Sequence, residues 1–376
     1  MRSRRKICFV LPSLAGGGAE RAAVQILNAL DDGAWNRSMY LFRKEGPYLA
    51  DVSPLVQLHA GIEQSRLGRW RALRRFVRAT RPDIVVSFLS YFTVLTAVRA
   101  AGVGARVVFN QQTPMTAFLS DGDFAWRSGW QRRAFAAAAR PGYAAADLIV
   151  TTSQGVADDL VASFGVTPAR VRVVHNPVDL DAVTAAAQDP IDSAHTAAWR
   201  RPVIVAAGRL ADAKNYPLLI EALARLQPRQ AARLFILGQG DEERSIRALV
   251  AARGLDDAVV LCGFQKNPWK YIARADVFAL TSRYEGFGNV LVEAMACGVP
   301  VVATRSPGTN DIVRDGVDGL LVDRHEPEAV AAALARVLGD EAFRQRLAAA
   351  ARIGAARFAL PVVIREYEAV FRELAA

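Results

Sequence analysis

Two α/β domains, each a parallel sheet covered by helices on both faces, are predicted by three features of this sequence. Short β-branched runs alternate with longer helical patterns, glycine-rich turns follow several of those runs, and a polar, proline-marked break lies near the middle. The length of 376 residues fits two domains, and a hydrophobic fraction of 52% supplies a core for each. In the first half, strands are expected near Ile7–Leu11, Ile84–Phe88, Arg106–Asn110, Leu148–Thr152 and Val171–His175. In the second they are expected near Val203–Ala207, Arg233–Leu237, Val259–Cys262, Val277–Thr281, Val301–Thr304 and Leu320–Val322. Asn176-Pro177-Val178-Asp179 and the alanine-rich stretch to Arg201 read as a linker with an inserted helix, because proline stops a strand. The predicted domains are 1–178 together with 361–376, and 179–360; the amphipathic end, with Val363, Tyr367, Val370 and Phe371, is expected to return to the first lobe. A ligand of such a two-lobed protein commonly lies at the carboxyl ends of the strands, where the lobes face each other.

Composition removes several function classes. The basic start Arg2-Ser3-Arg4-Arg5-Lys6 and the apolar run to Leu11 mimic a leader, but Pro12 ends the run too early, so it reads as a buried strand. No apolar run approaches the roughly 18 residues needed to span a bilayer. Cys8, Cys262 and Cys297 are far apart and sit in apolar surroundings, which suits buried thiols in a reducing, cytoplasmic compartment and gives no metal framework. His59, His175, His195 and His325 have no ligand spacing. Residues 1–180 carry 23 basic and 13 acidic side chains, and 181–376 carry 24 of each, so the whole net charge of +10 belongs to the first half. That half is expected to meet an anionic partner.

Three loops carry plausible chemistry. Leu11-Pro12-Ser13-Leu14-Ala15-Gly16-Gly17-Gly18 leaves the first strand and enters a helix, so its glycines permit close approach of a ligand to the backbone. The run fails the dinucleotide pattern, because position 21 is Arg21, and no P-loop is present. Gly208-Arg209-Leu210-Ala211-Asp212-Ala213-Lys214-Asn215 brings two cations after a strand; they suit a diphosphate, or simply cap neighbouring carboxylates. Glu285 and Glu293 flank a glycine-rich turn, Gly286-Phe287-Gly288-Asn289, that opens a helix. Amides at a helix start favour an anion and the acids suit sugar hydroxyls, so this segment reads as a site for a sugar joined to a phosphate. Glu293, beside Val292 and Met295, is otherwise an odd acid in an apolar setting.

These motifs resemble the retaining glycosyltransferases of family 4. The resemblance runs from Gly16-Gly17-Gly18-Ala19-Glu20 through Asn176-Pro177-Val178-Asp179, Gly208-Arg209-Leu210, Lys214-Asn215 and Glu285-x7-Glu293 to Gly308, Asp315-Gly316 and Gly319-Leu320-Leu321-Val322. It implies the GT-B architecture, two facing Rossmann-like domains with an interdomain cleft, and a nucleotide-diphosphate sugar as donor, with UDP preferred. It also implies that Glu293 binds the ribose, Glu285 the donor sugar, and Arg209 with Lys214 the diphosphate. Amides of Gly17, Gly18, Phe287, Gly288 and Asn289 complete the cradle, with Gly208 in the turn and Gly263 and Phe264 near the base. Retention with the leaving phosphate accepting the acceptor's proton needs neither metal nor cofactor. Where many relatives carry a histidine after the third of the predicted strands, this chain reads Asn110-Gln111-Gln112; these are candidate sugar or acceptor contacts, able to replace its hydrogen bond but not its charge.

Two basic segments interleave aromatic residues: Arg66, Leu67, Arg69, Trp70, Arg71, Leu73, Arg74, Arg75, Phe76, Val77, Arg78 and Arg81; and Trp126, Arg127, Trp130, Arg132, Arg133 and Phe135. Tryptophan beside arginine suits the headgroup region of an anionic membrane; equally, the apolar residues pack on the sheet while the arginines face water. The expected partners are a nucleotide-sugar donor, a glycan or lipid-linked acceptor and an anionic membrane surface, with peripheral attachment. Nucleic acid is not expected, since no recognisable binding module is present. The alternatives are a non-catalytic sugar-nucleotide or membrane-binding module, or an epimerase of the same architecture.

Overall fold

The computed structural model of the protein describes residues 4–63, 65–120, 129–323 and 326–376. The chain divides into two compact units, and the one holding most of the first half also includes Leu360–Ala376, while the other spans Val178–Ala359.

The first unit holds seven strands: β1 (Arg5–Leu11), β2 (Trp35–Leu41), β3 (Gln57–Ala60), β4 (Ile84–Phe88), β5 (Arg106–Gln111), β6 (Leu148–Thr151) and β7 (Val171–Val173). All pair in parallel, in the order β3-β2-β1-β4-β5-β6-β7. Ile7 to Leu11 form an apolar run because helices cover both faces of the sheet, so every side chain is buried. On one face Phe9, Trp35 and Phe371 pack edge-on, with ring centroids 6.2–6.3 Å apart. On the other, Phe109, Tyr143 and Phe164 form the core. Strands β2 and β3 were not anticipated from the sequence. The helix Leu360–Ala375 presents Val363, Ile364, Tyr367 and Phe371 to the first of these faces, and its Glu368 accepts a hydrogen bond from the Asp31 amide at 2.8 Å.

The second unit holds β8 (Val203–Ala207), β9 (Arg233–Leu237), β10 (Val259–Leu261), β11 (Val277–Leu280), β12 (Val301–Thr304) and β13 (Leu320–Val322), all parallel, in the order β10-β9-β8-β11-β12-β13. Ile204, Leu234 and Ile236 face one core and Val203, Val205, Phe235 and Leu237 the other, the alternation that a doubly covered strand requires. After Pro177, Asp179 caps the helix Leu180–Ala186 through a 3.0 Å bond from the Ala182 amide, and Val183 is fully buried.

In each sheet the strand order reverses once, between β1 and β4 and between β8 and β11. Connections leave such a point toward opposite faces, opening a crevice at the carboxyl ends of the strands. The three cysteines are free, and burial pushes each thiol up to about 12. Among the described residues no helix is long and apolar enough to cross a membrane.

Candidate functional site

Backbone packing at the carboxyl edge of the second sheet sets the site. The loops after β8, β9 and β10 lie side by side: the Gly208 amide donates to Leu237 O at 2.9 Å, and the Gly238 amide to Gly263 O at 2.8 Å. Gly238 has φ +150°, and a Cβ there would lie 1.9 Å from Gly208 O, so only glycine permits this approach. The loop Gly238-Gln239-Gly240 was missed in the sequence, although a Gly-x-Gly directly after a strand was its signal.

The loop after β8 also meets the loop after β11. The Arg283 amide donates to Ala213 O at 2.8 Å, and Thr281 Oγ1 to Asn215 O at 3.2 Å. These bonds bring Lys214 Nζ onto Glu285 Oε1, which also accepts a 2.7 Å bond from Ser282 Oγ. The lysine is therefore, as one of its two readings allowed, the partner of a carboxylate. Glu285 Oε2 accepts no hydrogen bond among the described residues, so one face of a largely buried carboxylate, its side chain 12% exposed, stays open to a ligand. Beneath them Tyr216 donates to Gly208 O at 3.0 Å; burial first, then the Glu285 charge, raises its phenol far above the ordinary range. Arg209 is exposed and forms neither a hydrogen bond nor an ion pair through its side chain among the described residues.

Glu293 lies on the helix Asn289–Ala296, which the Glu285 loop opens. It is 4% exposed, and Trp269 Nε1 donates to its Oε2 at 2.7 Å, which answers how an acid tolerates this apolar setting. Trp269 was not anticipated as a site residue. Gly288, with φ +99°, precedes the helix, and no side chain caps its amino end. The Gly308 amide fixes Glu285 from the next loop by donating to its carbonyl at 2.9 Å. Phe287 is buried against Phe358, whereas Phe264, after Gly263, is 58% exposed. Thus Gly208, Lys214 and Glu285 come together, Arg209 shares the loop of Gly208 and Lys214, and Glu293 is held separately by Trp269.

In the first unit, Gly17 and Gly18 are exposed at the start of the helix Gly18–Ala29, which has no side-chain cap. Asn110, Gln111 and Gln112, expected as sugar or acceptor contacts, are all buried and bonded internally. Asn110 Nδ2 donates to Tyr367 Oη at 3.0 Å, Asn176 Nδ2 to Gln112 Oε1 at 2.9 Å, Gln112 Nε2 to Asn110 Oδ1, and Gln111 Nε2 to Thr113 O at 2.7 Å. They tie β5 to the end of the chain and to the segment after β7. The basic segment divides likewise. Trp70 donates to Thr96 Oγ1 at 3.1 Å with Arg74 over its ring, so it packs on the neighbouring helix. Trp130 is 70% exposed, beside exposed Arg132 and Arg133; Trp126 and Arg127, like His325, lie outside the described residues.

A cavity of about 570 Å³, lined by Arg200, Arg233 and Arg253, opens at the opposite, amino edge of the second sheet and holds none of these residues. Among the described residues, no group of three or more histidines, cysteines and acids is placed to hold a metal.

The family model for glycosyltransferase family 4 matches residues 16–182, and that for glycosyl transferases group 1 matches 188–353, so together they take in nearly the whole chain. The chain belongs to the family 4 glycosyltransferases. Among relatives of this family 4 chain, the N-acetylgalactosamine-N,N'-diacetylbacillosaminyl-diphospho-undecaprenol 4-alpha-N-acetylgalactosaminyltransferase of Campylobacter jejuni is 36% identical over 204 residues, 54% of each chain. The lipopolysaccharide core biosynthesis glycosyltransferase LpsE of Rhizobium meliloti is 35% identical over 202 residues, 54% of this chain and 57% of that one. The match therefore spans about half the length of these curated relatives. Among solved structures, Anabaena HepE in complex with UDP superposes with TM-score 0.80 over 98% of this chain and 100% of that one, at 21% identity. Sucrose-phosphate synthase from Thermosynechococcus elongatus gives 0.79 over 99% of each, also at 21% identity. At that identity the likeness shows the fold, which is GT-B.

Proposed function

We propose that the chain is a retaining glycosyltransferase that moves a sugar from a nucleotide-diphosphate sugar, UDP preferred, to a hydroxyl of a membrane-held glycan or lipid-linked acceptor. The observation that carries this reading is the Lys214–Glu285 pair, which joins the loops after β8 and β11 at the point where the strand order reverses. Glu285 Oε2 accepts a hydroxyl of the donor sugar, while Lys214, Arg209 and the amino end of the helix Asn289–Ala296 face the diphosphate. Glu293, oriented by Trp269, accepts from the ribose. The bond from the anomeric carbon to the diphosphate oxygen breaks, the acceptor oxygen bonds to that carbon on the same face, and its proton passes to the leaving phosphate. Negative charge grows on the diphosphate during this step, so cations fixed beforehand lower its barrier, and no metal is required.

UDP in the HepE complex supports the choice of nucleotide, and the diphospho-undecaprenol in the name of the Campylobacter relative supports a lipid-linked acceptor. Exposed Trp130 with Arg132 and Arg133 supports a membrane surface as partner. Turnover of UDP and GDP sugars, with chelator and without, tests the reading. Nucleoside diphosphate release that is acceptor-dependent and chelator-insensitive is expected; binding without release in any acceptor mixture would favour a non-catalytic module.

A further inference from the structure

Between the ends of β1 and β4, where the strand order of the first unit reverses, lies a second cavity, of about 400 Å³. Its lining includes Arg43, Arg66 and Arg69, the hydroxyl residues Ser90 and Thr93, and Phe42. The guanidinium groups arrive from two directions. Arg43 follows β2, and its amide donates to Pro12 O at 2.9 Å, which fixes that turn against the one after β1. Arg66 and Arg69 stand one turn apart on the helix Arg66–Thr80 and so share a face. Ser90 and Thr93 belong to the start of the helix Tyr91–Ala101, yet Ser90 does not cap it, and neither hydroxyl forms a hydrogen bond among the described residues.

Little neutralises this charge within the unit. Arg66 has no hydrogen-bond or ion-pair partner among the described residues, and Arg69 uses one nitrogen, Nε, on the Glu63 carbonyl at 3.3 Å. Arg43 pairs with Glu45 at 3.2 Å in an exposed contact, which a ligand displaces at small cost, and the Glu63 carboxylate turns to Arg75 at 3.5 Å. Three cations around one cavity repel each other unless an anion joins them. Planar guanidinium forks and free hydroxyls match phosphate oxygens in geometry, and the volume lies within the range of ligand pockets.

We propose that this cavity binds a phosphate or diphosphate group, and that the acceptor is accordingly phosphate-bearing rather than a neutral glycan. The assignment to the acceptor rests on the glycosyl-transfer reading; the anion site does not.

The test is calorimetric titration of the full chain with inorganic pyrophosphate at low ionic strength, in an Arg209→Ala/Lys214→Ala background that removes the cations of the second unit. One site is expected to remain. Adding Arg66→Ala/Arg69→Ala, or separately Arg43→Ala outside the helix, should weaken it more than tenfold, with circular dichroism unchanged. Arg71→Ala/Arg78→Ala, exposed on the same helix, should change it less than threefold. No binding in the background variant, or equal losses from the Arg71/Arg78 pair, would overturn the proposal. Displacement by hexose 1-phosphate would assign a soluble acceptor, and displacement by prenyl diphosphate in neutral vesicles a membrane-held one; displacement by neutral hexose as effective as either would overturn the phosphate assignment. Failure of sugar transfer itself would appear separately, as absent nucleotide release in the parent chain.

Discussion

Lys214→Ala separates charge at the transfer step from the packing that surrounds it. The side chains of Lys214 and Glu285 are 24% and 12% exposed, so their attraction is partly screened and its loss costs the fold about 1 kcal/mol. Glu285 keeps its 2.7 Å bond from Ser282, and the loop keeps the backbone bonds of Lys214 N to Ala211 O and Arg283 N to Ala213 O. A destabilisation of about 1 kcal/mol lowers Tm by roughly 2–4 °C in a domain of this size. The effect on catalysis is far larger if Lys214 faces the leaving diphosphate, because removing one preorganised partner of a developing anion costs about 10²–10³ in kcat. The assay is nucleoside diphosphate release at saturating donor and acceptor, beside a thermal melt on the same preparation. A kcat within threefold of the parent in a folded variant would refute the role given to Lys214. A Tm loss above about 10 °C would show instead that the pair is chiefly a structural clamp.

Three further outcomes are expected. Trp269→Phe removes one donor to the buried Glu293 carboxylate; stability should fall by about 1 kcal/mol in a urea titration, and nucleotide affinity by about tenfold. Unchanged affinity would remove Glu293 from the ribose role. Gly238→Ala forces a Cβ toward Gly208 O, which lies 1.9 Å from its position, so the β8 and β9 loops must part and UDP binding should drop at least tenfold by calorimetry. The third concerns pH. The folded thiols ionise near 12 instead of 9.0, so they remain protonated, and unreactive, until the pH approaches 12. At pH 8 the thiolate fraction is about a thousandfold below that of the unfolded chain, and iodoacetamide should label all three cysteines only after denaturation. Labelling of native Cys262 or Cys297 at the denatured rate would contradict that burial.

Legibility in the sequence followed how local each determinant is. Strands such as Ile84–Phe88 and Val203–Ala207 announce themselves because a parallel strand buried on both faces must be uniformly apolar. Strand β2 is interrupted by Asn36, Arg37 and Ser38, and hides its meaning in distant contacts: Arg37 is 3% exposed, donates to Leu27 O at 3.1 Å and pairs with Asp32. Strand β3 is a short edge strand, half-buried, with no clear alternation. At the site, charged residues in glycine-rich loops were visible as types, and Lys214 and Glu285 do meet. Trp269 and Gly238 were not visible, because one acts through a bond to a residue 24 positions away and the other through contact with a carbonyl on a different strand's loop. The bond of Asn110 was hidden for the same reason: its partner Tyr367 stands 257 positions along the chain. Loop position suggested a ligand contact, and tertiary structure adds a strut.

That strut belongs to a larger dependence. Phe9 on the first strand and Phe371 on the helix Leu360–Ala375 share one core, so the unit that leaves the ribosome first is also the last to be completed. Residues Val178–Ala359 contain every strand of their own sheet and can close around it during synthesis. The earlier unit must meanwhile wait with one face of its sheet only partly covered, by the helix Gly18–Ala29, for some 10–40 s at ordinary elongation rates. Chaperone demand during production should therefore concentrate on the amino-terminal half, and amino-acid changes on the inner face of that closing helix should show themselves as lost yield before they show as lost turnover.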